Sequence, residues 1–361
     1  MNTTQVGVIG CGNISDAYFS TNARFSFFDI AACADLNLDA AKAKAAQWNI
    51  PRACSVDELL ADTSIEFIIN LTIPQAHGPV MLSCLEAGKS VYTEKPFTVT
   101  HEEAQKIIAL AGEKNLRVGS APDTFLGGSH QTARQLLDEG VLGEVLGATA
   151  FMACNGHESW HPNPAFYYKL GGGPLFDMGP YYLTDLVQLL GPIASVSGHA
   201  RISRAQRTIT SQPLAGTLVD VEVPTHVSGS MQFQSGAIGT LIMSFDVASH
   251  TLPPIQIHGS KGSLFVPDPN GFGGALKLCL LGEEAREIEI SRPYTDSARG
   301  IGMADMVLAM HEKRDHCCNE RLAYHVLDAM QAFHDSSDQK RHIELQSTCE
   351  RPPMLSLNTE S

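Results

Sequence analysis

Gln5-Val6-Gly7-Val8-Ile9-Gly10-Cys11-Gly12-Asn13-Ile14-Ser15 opens on an apolar run and closes on two glycines and a serine. Residues 5–10 read as a short buried strand entering a glycine turn, and a helix is expected from about Ile14 to Asn22. Gly10 suits the tight turn. Gly12 has no Cβ to hold a pyrophosphate away from the backbone, and Ser15 is small enough for close helix packing. The loop amides, those of Asn13 and Ile14 among them, then face an anion from a helix start, where the dipole favours negative charge. Cys11 is most simply a small residue tolerated near phosphate. A strand before the loop and a helix after it imply a bound dinucleotide.

The strand Asp29–Ala34 ends at Asp35, placed to accept hydrogen bonds from the adenosine ribose. A carboxylate there repels a 2′-phosphate, and no lysine or arginine follows until Lys42, so NAD is favoured over NADP. The plainer alternative is that Asp35 only starts the next turn. An alanine-rich helix follows at Leu38–Trp48, stopped by Pro51, and Phe67–Leu71 is a strand ending in Thr72-Ile73-Pro74. Pro79–Ala87 reads as a helix with Gly88 as its cap, and Ser90–Thr93 as a strand. Thr100 is placed to cap the helix His101–Lys114, and Leu116–Gly119 is a further strand. Alternating strands and helices with short loops argue for a doubly wound, mostly parallel sheet up to about residue 122.

From residue 123 to 361 the texture changes. A helix at about Ser129–Glu139 leads to strand-like stretches at 145–154, 193–204, 217–234, 237–248 and 254–266, with Gly236 as a hairpin turn. Helical patterns return at Ala304–His316 and Leu322–Ser336. This is expected to be an α+β domain with an open, mostly antiparallel sheet. The tail from Arg351 reads as a strap or a frayed end.

Net charge is −14, which opposes nucleic acid and anionic membrane surfaces as partners. No apolar run approaches a membrane span, and the start, Met1-Asn2-Thr3-Thr4-Gln5, lacks a signal pattern. Nine scattered cysteines without a C-x-x-C pair read as reduced thiols in the cytoplasm.

Glu94-Lys95-Pro96 carries the chemistry. A lysine fixed between a strand and a proline, on the cofactor side of the sheet, can hold and polarise a hydroxyl or carbonyl beside a nicotinamide. Thr72, Pro74 and His77 leave the C-terminal end of another strand, where open α/β sheets bind ligands, and His77 is expected to line the nicotinamide pocket. Asp123, just after Ala121-Pro122, is a candidate contact to the nicotinamide ribose or substrate. His157-Glu158-Ser159-Trp160-His161 fits no common zinc spacing and reads as a substrate wall, with no metal. His311, His316, Cys317 and Cys318 read as packing or surface. In Gly171-Gly172-Gly173-Pro174-Leu175-Phe176-Asp177-Met178-Gly179-Pro180-Tyr181, Asp177 and Tyr181 share a face if both are helical. Pro180, however, suits a first helical turn, which would leave Asp177 at or before the helix start.

Together the glycine loop, Glu94-Lys95-Pro96 and the segment Gly171–Tyr181 resemble the glucose–fructose oxidoreductase, inositol dehydrogenase and rhizopine catabolism family, Gfo/Idh/MocA. The strand-like Ile257–Ser263 supports the likeness in the last third. The resemblance implies an NAD-dependent oxidoreductase acting on a CH–OH group of a sugar, cyclitol or polyol, working as a homodimer or homotetramer. It implies that Glu94 and Lys95 meet cofactor, that Lys95 holds the reacting hydroxyl, that Tyr181 moves its proton and that Asp177 orients the substrate. Tyr182 is the alternative acid/base. Tyr181 stands at the histidine position of the inositol dehydrogenase type, and Thr184 where many members have aspartate, with Asp185 one place late. Two rivals remain: an NAD-retaining glycoside hydrolase working by transient oxidation, and a non-catalytic NAD-binding sensor.

Overall fold

The computed structural model describes residues 3–357; Met1 and Asn2 of the N-terminal stretch and residues 358–361 of the tail lie outside the described residues. The chain forms two compact units. One takes the chain up to Leu126, Ser297–Tyr324 and the segment from Pro352; the other takes Gly127–Asp296 and His325–Arg351.

In the first unit, β1 (Thr4–Ile9), α1 (Ser15–Thr21), β2 (Phe28–Ala34), α2 (Leu38–Trp48), β3 (Arg52–Cys54), α3 (Val56–Ala61), β4 (Phe67–Asn70), α4 (Pro74–Glu86), β5 (Ser90–Thr93), α5 (His101–Lys114) and β6 (Val118–Ser120) alternate. Among the described residues the strands form a six-stranded sheet, β3-β2-β1-β4-β5-β6, with every pair parallel. Every residue of β4 and β5 is buried, as expected where helices cover both faces. Local chemistry sets several helix ends. Asn37 accepts the Asp39 amide at the start of α2, and Asn49 ends it in the left-handed region. Thr100 accepts the Glu103 amide before α5. The expected helix at Pro79 begins five residues earlier, because Pro74 takes the first turn, where a missing N–H costs nothing. Pro79 then lies inside α4.

The segment from Ser297 completes this unit. Gly119 bridges Asn319, and the Ser120 amide donates to the Cys318 carbonyl at 3.0 Å, extending the β6 edge. The described part of the tail is packed: Cys317 Sγ donates to the Pro353 carbonyl at 3.5 Å, and Leu357 is buried.

The second unit begins with α6 (Gly128–Asp138), β7 (Val145–Ala153), α7 (Gly173–Leu190), β8 (Ile193–Arg201), β9 (Gln206–Thr208) and β10 (Leu218–Asp220). It continues with β11 (His226–Phe233), β12 (Ile238–Ser244), β13 (Ile255–Gly259), β14 (Gly262–Val266), β15 (Leu276–Leu280) and β16 (Arg286–Ile288). After α8 (Ile301–Glu312), which belongs to the first unit, come α9 (Glu320–Gln339) and β17 (Ile343–Glu344). Among the described residues the larger sheet runs β16-β15-β14-β13-β7-β12-β11-β8-β17; only β7 and β12 pair in parallel, so the mostly antiparallel expectation holds. Gly236, at φ +92°, turns β11 into β12. The stretches 217–234 and 254–266 each divide into two strands, the second as the β13–β14 hairpin. Val227, Met231, Leu241 and Met243 are buried on one face of the sheet, where α7 packs, while Ile238 and Thr240 on the other face are exposed. No helix of the described residues is long and apolar enough to cross a membrane.

Candidate active site

Gly10 follows β1 with φ +103°, and a Cβ there would lie 2.6 Å from the Leu71 carbonyl group, so only glycine fits. Gly12 differs: beyond its own residue and its two chain neighbours, no protein atom lies within 4 Å of where its Cβ would be. Gly12 and Asn13 are exposed and Ile14 half-buried, leaving the loop open where a pyrophosphate would lie. Ser15 is buried and donates Oγ to the Gly12 carbonyl at 2.6 Å, which closes the turn. Asp35, half-buried at the end of β2, accepts the Cys11 amide on Oδ2 and the Asn37 amide on Oδ1, each at 2.8 Å. It thus starts the turn and also flanks the glycine loop. The following lysines lie against other carboxylates, Lys42 against Asp39 at 3.6 Å and Lys44 against Asp16 at 2.5 Å. This loop and carboxylate fit a dinucleotide.

Lys95, half-buried, directly follows β5 and Glu94. The Glu94 carboxylate is buried and fixed from both sides. Oε1 accepts the Tyr18 hydroxyl at 2.8 Å, and Oε2 accepts the Lys95 amide at 3.0 Å. The Glu94 amide donates to the Asn70 carbonyl at 2.9 Å. Thr72 is tied back to Asn70, its hydroxyl 2.7 Å from Oδ1, and Pro74 is half-buried at the head of α4.

His77 is buried, with Nδ1 2.6 Å from the Pro96 carbonyl and Nε2 3.0 Å from the Thr72 carbonyl. It braces the two loops from behind rather than presenting its ring to a ligand. Burial holds its pKa below the ordinary histidine value, against the pull of both carbonyls. Asp123 is also turned inward. It is fully buried, and its Oδ2 accepts the Gly300 amide at 2.7 Å and the Gly302 amide at 3.1 Å, capping α8. Burial, followed by the repulsion of Glu94, pushes its carboxyl up to about 6, against Arg299 and the two amides.

In the second unit α7 starts at Gly173, with Pro174 in its first turn and Pro180 in its interior. The reading of Pro180 as a helix start is therefore corrected: Pro174 fills that position, and the flanking elements hold the turn at Pro180 despite its missing N–H. Asp177 and Tyr181 are consequently both helical and four residues apart. Asp177 Oδ2 lies 3.9 Å from His157 Nε2. His157 is buried, stacked on Tyr167 at 3.9 Å between centroids and edge-on to Phe245 at 4.5 Å. Trp160 stands 62% exposed, and His161 lies edge-on to Trp160, Phe166 and Tyr167. Tyr181 is buried at the end of the Asp177 face. The Tyr182 hydroxyl lies 3.4 Å from Asp268 Oδ1, and burial with the Asp268 charge raises its pKa far above the usual tyrosine value. Tyr182 is therefore committed to Asp268.

Asp185 is fully buried and meets His130 Nδ1 at 2.9 Å, while His130 Nε2 meets the Gly271 carbonyl at 3.1 Å. Glu158 pairs with Arg207 at 2.8 Å. Among the described residues no group of three or more histidine, cysteine, aspartate and glutamate side chains is arranged to hold a metal ion. Tyr18, Arg207 and His130 were not singled out from the sequence. Their partners lie 76, 49 and 55 positions away, beyond any spacing rule.

The family model described as "Oxidoreductase family, NAD-binding Rossmann fold" matches residues 4–121, and the "GFO/IDH/MocA C-terminal domain" matches residues 130–265, more than half of the chain between them. An uncharacterized oxidoreductase of Schizosaccharomyces pombe is 31% identical over 185 residues, 50% of this chain and 49% of that protein. The chain thus spans about half the length of that relative. The D-xylose 1-dehydrogenase (NADP(+)) of Hypocrea jecorina is 26% identical over 69% of this chain and 64% of its own length. A solved structure of levoglucosan dehydrogenase with NADH and L-sorbose has a TM-score of 0.84 at 19% identity, over 96% of this chain and 100% of that one. The chain belongs to the Gfo/Idh/MocA family of oxidoreductases, with an NAD(P)-binding Rossmann fold at its N-terminal end.

Proposed function

We propose that the chain is an NAD-dependent dehydrogenase of a secondary alcohol on a sugar, cyclitol or related polyol. The observation that carries this reading is the clamp on Lys95. Its backbone is fixed by Glu94 at the C-terminal end of β5, beside the end of β4, where open α/β sheets bind ligands. The Lys95 ammonium holds the reacting oxygen and stabilises the alkoxide as it forms. Tyr181 takes or returns the proton. Asp177 orients the substrate, and the faces of His157, Trp160 and His161 suit a ring with apolar faces and hydroxyl edges. A bound nicotinamide supplies the hydride acceptor at its C4.

Asp35 favours NAD over NADP through repulsion of a 2′-phosphate. The cofactor role is assigned to residues 1–122 and the substrate role to residues from 123 onward. Nine free cysteines suit a cytoplasmic location. The outward sheet face, with Ile238 and Thr240 exposed, supports a homodimer or homotetramer.

A panel of D-xylose, levoglucosan, myo-inositol and keto-sugars, followed by NADH absorbance, tests the reading. At least one should reduce NAD or oxidise NADH, and Lys95→Ala should abolish that turnover while still binding NADH. Full turnover by the Lys95→Ala variant would overturn the assignment.

A further inference from the structure

The strands β9 and β10 pair only with each other among the described residues, outside the larger sheet. Their connection nevertheless laces to the loop that carries His157, Trp160 and His161. The amides of Thr210 and Ser211 both donate to the Glu158 carbonyl at 2.9 Å, and Ser211 Oγ donates to the His161 carbonyl at 2.5 Å. Ile209 and Val219 from this flap, with Val221 just after it, join Tyr168 and Phe245 in a separate small apolar core.

Arg207 of β9 is the centre of this arrangement. Its guanidinium is buried, donates to Glu158 Oε1 at 2.8 Å and to the Phe245 carbonyl at 3.1 Å, and pairs with Asp246. It also lies over the Tyr168 ring, 5.1 Å from the centroid. Asp246 is held in turn by the Thr225 hydroxyl at 2.7 Å, so the guanidinium has a fixed anchor on the β12 side. On the loop side the fit is close: a Cβ on Gly156 would fall 2.6 Å from Arg207 Nη1. The Tyr168 hydroxyl under the guanidinium accepts the His157 amide at 3.3 Å. His157 therefore meets Asp177 from a loop held to one arginine twice, through the next residue, Glu158, and through the Tyr168 hydroxyl that takes the His157 amide.

We propose that Arg207 is a positioning residue, and that the 206–220 flap sets which substrates the His157–Trp160–His161 wall accepts. Arg207 acts through Glu158 and Tyr168 on that wall, and the planar fork is what spans two carboxylates and a carbonyl at once. A lysine there keeps the charge and loses the fork. The proposal rests on the reading of this wall as substrate-binding.

The chain has two tryptophans, Trp48 and Trp160, so a Trp48→Phe background leaves Trp160 as the sole indole reporter. In that background Glu158→Gln and Arg207→Lys are compared with the parent by Trp160 emission, acrylamide quenching, NADH affinity and steady-state kinetics. The kinetic probe is whichever of D-xylose, levoglucosan and myo-inositol the parent turns over fastest. Glu158→Gln keeps an acceptor and leaves Arg207 on Asp246, which protects the fold. The expected result is stronger Trp160 quenching and a sugar KM raised about tenfold, with kcat and NADH affinity nearly unchanged. Unchanged Trp160 quenching in both folded variants would overturn the role of Arg207 and leave the wall standing. Altered quenching with an unchanged sugar KM, or no turnover of any probe by the parent, would overturn the proposal through the wall itself.

Discussion

Tyr18, on the helix that follows the glycine loop, donates its hydroxyl to Glu94 Oε1 at 2.8 Å, while the other oxygen of the same carboxylate takes the Lys95 amide. One buried carboxylate thus joins the cofactor loop's helix to the lysine turn. Burial, and after it the Glu94 charge, keep the tyrosine pKa well above its usual value, so it stays a donor. Tyr18→Phe removes that donor and leaves Glu94 short of a partner, at a cost of about 1–3 kcal/mol. Urea unfolding should register the loss. Turnover should fall on the order of tenfold as Lys95 loosens, and a variant with parental stability and kcat would contradict this account.

Asp35 supplies the carboxylate beside the glycine loop. Asp35→Ser should raise the KM for NAD about tenfold and narrow the preference over NADP, since both the ribose contact and the repulsion are lost. Initial rates with each cofactor provide the comparison. An unchanged NAD/NADP ratio would reduce Asp35 to its contacts with Cys11 and Asn37.

Asp123 gives the first unit a stability that falls as pH rises. Its folded pKa, about 6, lies above the ordinary 3.8, so between these values the folded state binds more proton than the unfolded one. The stability difference built up across that window is on the order of 3 kcal/mol. Asp123→Asn keeps an acceptor for the Gly300 and Gly302 amides and removes the titration. Its stability relative to the parent should therefore be greater at pH 7.5 than at pH 4.5. Parallel profiles for the two proteins would show that the buried carboxyl is not what titrates.

His130 faces acceptors on both ring nitrogens, Asp185 and the Gly271 carbonyl, and only the imidazolium can donate to both. Burial works to lower its pKa, but the Asp185 charge and hydrogen bonds outweigh it and the net shift is upward. Its contribution is then complete below the ordinary histidine pKa and is lost as pH rises through the folded value. His130→Gln should cost more stability at pH 6 than at pH 9, a difference that denaturant titrations at the two pH values can read. Equal losses at both would mean a neutral ring.

The sequence marked those features whose causes are local. The bounds of α2 and α5 were read to the residue, α2 from its alanine-rich pattern and the stop at Pro51, α5 from the Thr100 cap beside it. Lys95 and the pair Asp177 and Tyr181 stood out through their motifs. The strands β3, β9 and β16 are three residues long, too short for an alternating pattern to register, and β17 is shorter still. Pro180 misled because a proline preference at helix starts competes with tertiary packing that tolerates it inside. The inward turns of His77 and Asp123 depend on carbonyls and amides that no side-chain pattern encodes.

The completion of the β6 edge by residues near Asn319 has a consequence for biosynthesis. While the ribosome is still making the middle of the chain, β6 has no partner on that side and Asp123 has no helix to cap. The parallel sheet can begin to assemble early, yet it reaches its finished form only after Asn319 has emerged. A nascent-chain intermediate ending near residue 126 would expose that edge, and a molecular chaperone that shields strand edges would find its target there.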